Sequence, residues 1–177
     1  MIETPAIVLV PIGTVHAHLL DNLVAPLGVT FGHPCRVSAS IAIPETAHDK
    51  RRGQYLGRAI LSALGRLDLP DAERVLGIID ADCYAPGLNF VFGQASAGVA
   101  ARDAFIALPR LRQSFHGLPE DGTLFQERAL KEAVHELGHT YGLAHCHDPK
   151  CVMFFSNSLY DTDVKRVDFC PRCRARL

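Results

Sequence analysis

Three histidines at fixed offsets in one short string constrain this chain more than any other feature. The string is His135-Glu136-Leu137-Gly138-His139-Thr140-Tyr141-Gly142-Leu143-Ala144-His145. His135 and His139 are four residues apart, so on a helix they project from one face, one turn apart. Two imidazoles at that spacing can bind one zinc ion. Glu136 sits beside the first of them, where a carboxylate can reach a water on the metal. Gly142 permits a sharp turn, and His145 can then swing back as a third ligand. Three protein ligands leave one coordination position open, the arrangement of a catalytic zinc site and not of a closed structural one.

The cysteines form a second constellation. Four of the six cysteines and four of the nine histidines fall between His135 and Cys173. Cys146 and Cys151 bracket four residues, and Cys170 and Cys173 form a CxxC around Pro171 and Arg172. Two short pairs separated by fewer than twenty residues fit a tetrahedral four-cysteine zinc site. Two disulfides or four free thiols are the alternatives. The compartment bears on this choice. No basic stretch followed by a long apolar one opens the chain, so no secretion signal is expected. The apolar run from Ala6 to Pro11 is too short to span a bilayer. The expected location is the cytoplasm, where disulfides are rare and metal binding is the better reading. Cys35 and Cys83 stand alone and read as small core residues.

With 177 residues, 48% of them hydrophobic and 21% charged, the chain has the make-up of one globular domain. Lys plus Arg is 18 and Asp plus Glu is 19, a net charge of -1. No field of one sign is available to grip nucleic acid or an anionic membrane, so neither is expected as a partner. The Lys50-Arg51-Arg52 run reads as the solvated start of a helix.

Periodicity supplies the elements. Ala6 to Val10 reads as a buried strand, and Val15 to Leu27 as a helix stopped near Pro26 and Gly28. Cys35 to Ile43 reads as a half-buried strand. Apolar residues from Tyr55 to Leu67 at i, i+3 and i+4 spacing predict an amphipathic helix. Arg74 to Asp80, Leu88 to Phe92 and Ala104 to Leu108 read as strands. A final helix is expected from about Thr123, with Thr123 and Gln126 as a capping box, to a left-handed turn at Gly142. Strand and helix alternate first and strands then follow directly, which predicts mixed α/β or α+β. Residues 1–142 form the sheet part, ending in the histidine-bearing helix. Residues 143–177, with four cysteines and no long periodic run, read as a small metal-stapled subdomain of the same compact unit.

The histidine string, followed by Cys146, Cys151-Val152-Met153 and Cys170-Pro171-Arg172-Cys173, resembles the archaemetzincins, a branch of the metzincin zinc metallopeptidases. Pro86 to Gly93 is similar, more weakly, to that family's strand beside the active-site cleft. The resemblance implies a metzincin-like twisted mixed sheet of about five strands with backing and active-site helices. It also implies roles. His135, His139 and His145 would hold a catalytic zinc, with Glu136 as general base. Cys146, Cys151, Cys170 and Cys173 would hold a second, structural zinc. Met153 would be the Met-turn residue, an apolar floor beneath the metal. Some metzincin branches place a tyrosine ligand two residues after that methionine, and here the position is Phe155, so no such ligand is expected.

The implied chemistry is peptide hydrolysis by an endopeptidase or an aminopeptidase-type enzyme. Glu136 would assist attack by a zinc-bound water, and a peptide or protein would be the substrate. The edge near Leu88, Asn89 and Phe90 is expected to pair with an extended substrate backbone. Ser156 and Asn157, just after Met153, are candidate pocket residues. His147 is offset from the ligand pattern and reads as a surface residue. A monomer is expected. The alternative is a catalytically silent or gated peptide-binding protein that keeps the fold and the structural zinc.

Overall fold

A computed structural model of the protein describes residues 4–98 and 101–177. In chain order its elements begin with β1 (Ala6–Ile12), α1 (Ala17–Phe31), β2 (Cys35–Val37), β3 (His48–Asp49), β4 (Gln54–Leu56) and α2 (Gly57–Leu64). They continue with β5 (Ala72–Ile79), β6 (Cys83–Tyr84), β7 (Gly93–Ala95), β8 (Asp103–Ala107), α3 (Gly122–Thr140), α4 (Leu159–Val164) and α5 (Pro171–Arg174).

Five strands make the main sheet in the order β2-β1-β5-β8-β7. The first four are mutually parallel, and β7 runs antiparallel to β8 at the edge. Strands covered on both faces carry unbroken apolar runs, which is why β1 is buried at all seven positions. Alternate residues serve the two faces. Ile7, Leu9, Leu76, Ile78 and Ile106 pack with α1 and α3, while Val8, Val10, Val75, Ile79 and Phe105 pack with Ile60 and Leu64 of α2. The fold is the expected mixed α/β arrangement around a mixed five-stranded sheet. A small second sheet, β3-β4-β6, lies beside it. Among the described residues no helix is long and apolar enough to cross a membrane.

Several boundaries depart from expectation. α1 does not stop at Pro26 but runs through it to Gly32, whose φ of 71° forms the left-handed cap. Burial of Leu19, Leu20, Leu23 and Leu27 outweighs the hydrogen bond that proline forfeits. β2 ends at Val37, because the small residues Ser38, Ala39 and Ser40 bring little to pack. Only an isolated bridge from Ile41 to Ile12 continues that edge. Leu88 to Phe92 is not a strand. Pro86 and Gly87, with Gly87 at φ 84°, form a turn closed by the Leu88 N–H on the Ala85 carbonyl at 3.0 Å, so only an isolated bridge from Val91 to Cys83 forms before continuous strand pairing starts at Gly93. α3 is capped by Asp121, not by Thr123. The Asp121 carboxylate accepts from the Leu124 N–H at 2.9 Å. Lys50, Arg51 and Arg52 belong to the turn between β3 and β4, not to a helix start, and Arg52 donates to the carbonyls of Leu88 and Asn89.

After α3 the chain turns at Gly142 (φ 84°), as its position predicted. Leu143, Val152, Met153 and Phe169 then enter the same apolar cluster as α1 and α3. Arg128 of α3 forms a two-pronged pair with Asp163 of α4 at 2.6 and 2.7 Å, fastening the C-terminal segment to the helix.

Candidate metal centres

α3 and its return loop gather the three histidines. Their ring centroids lie 4.7 Å (His135 to His139), 5.4 Å (His135 to His145) and 4.8 Å (His139 to His145) apart. The backbone fixes two of the rings. His135 Nδ1 donates to the Val152 carbonyl at 2.8 Å, and His139 Nδ1 donates to the Leu143 carbonyl at 2.7 Å. Each ring therefore turns its Nε2 inward as a free lone pair, the usual way an outer partner sets a ligand's tautomer. The two Nε2 atoms are 3.1 Å apart. Two nitrogens sharing a tetrahedral zinc stand about 3.3 Å apart, given bonds of about 2.05 Å, so the pair fits the ion. Burial lowers the basicity of all three imidazoles and keeps them in the neutral, ligating form.

Glu136 is buried beside this trio. Burial first, and the Glu132 carboxylate second, push its carboxyl well above the usual range. A cation among the histidines acts in the opposite sense and favours the carboxylate. Met153 is fully buried beneath α3 and lies against Gly138. A Cβ on Gly138 would stand 2.6 Å from Met153 Sδ, so only glycine there lets the methionine lie under the helix.

The four cysteines meet a short distance away. All six cysteines of the chain are free thiols, and Cys146, Cys151, Cys170 and Cys173 place their ligand atoms within 4.8 Å of one another. Cys146 Sγ and Cys170 Sγ are 3.8 Å apart. Sulfurs bound to one tetrahedral zinc at 2.3 Å stand about 3.8 Å apart, so this donor set also fits the metal. The Cys170 N–H donates to Cys151 Sγ at 3.3 Å, and Arg172 donates to Cys146 Sγ at 3.6 Å. The Cys173 N–H, chiefly, draws the Cys170 thiol down to about 7, whereas burial pushes Cys151 and Cys173 up. Cys35 and Cys83 lie apart, and burial holds their thiols at about 11 and about 12, consistent with inert packing.

Leu88, Asn89, Phe90, Ser156 and Asn157 come together with His135 and Glu136 around one cavity. The first three do so from a loop, not from a strand. The sheet edge facing the site is β7, whose outer side is free for another backbone among the described residues. A second cavity adjoins His139 and His145, and Phe155 lines both. The Phe155 ring is 4.7 Å from that of His145. His147 is exposed, as expected. Composition and spacing did not single out Glu132, Lys165 or Gly93, although all three abut the site. Glu132 alone left a trace, standing one helical turn before Glu136.

Residues 31–177 match the model of peptidase family M54. The chain is 44% identical to the archaemetzincin of Pyrococcus furiosus over 97% of its own length and 91% of that protein. Its fold superposes on the crystal structure of the archaemetzincin from Methanopyrus kandleri with a TM-score of 0.84 at 40% identity, covering 97% of this chain and 92% of that one. A zinc-dependent peptidase from Methanocorpusculum labreanum also superposes, with a TM-score of 0.84 at 27% identity over 96% and 98% of the two chains.

Proposed function

This chain belongs to peptidase family M54, the archaemetzincins, and on that premise we propose that it cleaves peptide bonds with Glu136 as the base. The family is one of zinc-dependent peptidases. The observation that carries the finer reading is the convergence of three neutral imidazoles, spaced for one zinc, beside one buried carboxylate.

We infer two zincs per chain, one on His135, His139 and His145 and one on the four cysteines. Zinc at the histidines, when bound, supplies a positive charge that brings the pKa of a water to about 7 and polarises a carbonyl. Glu136 takes the water's proton at its carboxylate and passes it to the leaving amine. The free edge of β7 holds the substrate backbone extended, by strand addition. Two cavities meet at His135 and Glu136, which supports an endopeptidase mode with substrate residues bound before and after the cut.

Glu136→Gln tests this reading. Glutamine keeps the shape but accepts no proton at neutral pH. Cleavage of any susceptible peptide should fall about 10²–10⁴-fold, while zinc content stays at the wild-type level. Undiminished cleavage refutes the base assignment. A wild-type protein that holds zinc at the histidines yet cleaves no peptide supports the gated alternative, for which Phe155, 4.7 Å from the His145 ring, is the residue to vary first.

A further inference from the structure

The cavity beside Glu136 encloses about 210 Å³, with Leu88, Phe90 and Phe92 among its apolar walls. Glu132, one helical turn before Glu136 on the same face of α3, also lines it while only 3% exposed. This carboxylate is held from behind. Lys165, at 1% exposure, brings Nζ within 3.0 Å of Oε1, and the Thr162 hydroxyl donates to the same oxygen at 3.1 Å. Both contacts use Oε1, which leaves Oε2 to the cavity. Ser156, another lining residue, keeps its Oγ buried without a partner.

A buried ion pair contributes little net stability, since apolar residues of equal volume serve as well or better. Its position at the bottom of a cavity sized for a side chain points instead to recognition. Glu136 and His135 line this cavity and the second one alike, whereas His139 and His145 line only the second, so this cavity is the one on the Glu136 side of the histidines, next to the group that reprotonates the amine.

Resting on the peptidase reading above, we propose that Glu132, with Lys165 behind it, selects the substrate side chain on the leaving-amine side of the cut, favouring a neutral hydrogen-bond donor such as glutamine over an aliphatic chain of equal size. Oε2 accepts from the side-chain amide, and Ser156 Oγ donates to its carbonyl. Lys165 already balances the Glu132 charge, so a lysine or arginine side chain would bring an uncompensated cation into a closed space. An aliphatic chain would strip water from Oε2 and return nothing, the penalty by which polar sites reject apolar analogues.

The test uses the zinc-loaded full chain and succinyl-type peptide hydroxamates, whose hydroxamate precedes the first residue and so sends its side chain to the leaving-amine side; they anchor on the metal and need no cleavage. Four of them differ only in the first side chain: glutamine, methionine, leucine or lysine. Calorimetry should rank glutamine about tenfold or more above methionine. Glu132→Leu combined with Lys165→Met replaces the pair by apolar groups, a change that buried pairs commonly tolerate, and should reverse that order. Lys165→Met alone leaves an unbalanced carboxylate and should move the preference to lysine. Equal affinity for the glutamine and methionine forms, or an unchanged ranking in the double variant, overturns the selection and leaves the peptidase reading standing. Failure of all four to bind a protein with zinc at the histidines overturns that reading, and the selection with it.

Discussion

Gly93 has no side chain because Glu136 occupies the space that one would need. A Cβ there would stand 2.6 Å from Glu136 Cγ and 2.6 Å from the Phe105 carbonyl oxygen. The second of these is backbone and cannot swing aside, so Gly93→Ala must move β7 or the base. A displacement of about 1 Å at a reacting group can cost about 10²-fold in rate, and peptide cleavage by this variant should fall on that scale. Zinc at the histidines should stay in place, because the atoms nearest that Cβ belong to Glu136 and Phe105 and not to a ligand. Cleavage at the wild-type rate with full zinc content would count against this seat for Glu136. At this scale the ligands were legible and their supports were not. His135, His139 and His145 announce themselves by spacing, and so do the four cysteines. Nothing local distinguishes Glu132 or Lys165 from an ordinary solvated charge, since only the tertiary fold brings the end of α4 against α3. The Asp121 cap was missed for a related reason: Thr123 offered an equally good local cap, and only the path of the chain decides between them.

Among the elements, α3 was legible because its apolar period runs over five turns. The short strands were not. β7 has three residues, and its limits are set by pairing with β8 and by the turn at Pro86 and Gly87. Propensity in Leu88 to Phe92 pointed to a strand that tertiary context did not allow. The C-terminal segment is the extreme case, since α4 and α5 have six and four residues and could not form alone. Its order must come from its few core residues and from the four sulfurs. Cys170→Ser or Cys173→Ser should therefore lower the melting temperature by about 10 °C or more and remove one metal equivalent. His139→Ala also loses a metal equivalent but leaves this segment anchored, so its melting temperature should fall less. Calorimetry of the three variants checks the ranking, and equal melting temperatures would sink it.

Across the whole molecule the two centres are joined through the backbone yet differ in donor set and in access. His145 and Cys146 are sequence neighbours, one a ligand of the open site and the other of the closed one. The hydrogen bond from the Cys146 N–H to the Met153 carbonyl, at 2.8 Å, ties both to the floor beneath the helix. Their affinities should separate. Three neutral imidazoles bind zinc more weakly than four thiolates, and His145 is exposed whereas Cys146, Cys151 and Cys173 are buried. Graded chelation should then release metal in two steps. The first step should remove about one equivalent and abolish any peptide cleavage, with helical circular dichroism unchanged. The second should coincide with loss of tertiary structure, because metal binding and folding of the cysteine segment are one equilibrium. Zinc added after the first step should restore cleavage at once, whereas recovery after the second should need refolding. Release in a single step, together with unchanged stoichiometry in Cys170→Ser, would mean that one site holds all the metal and that the cysteines do other work.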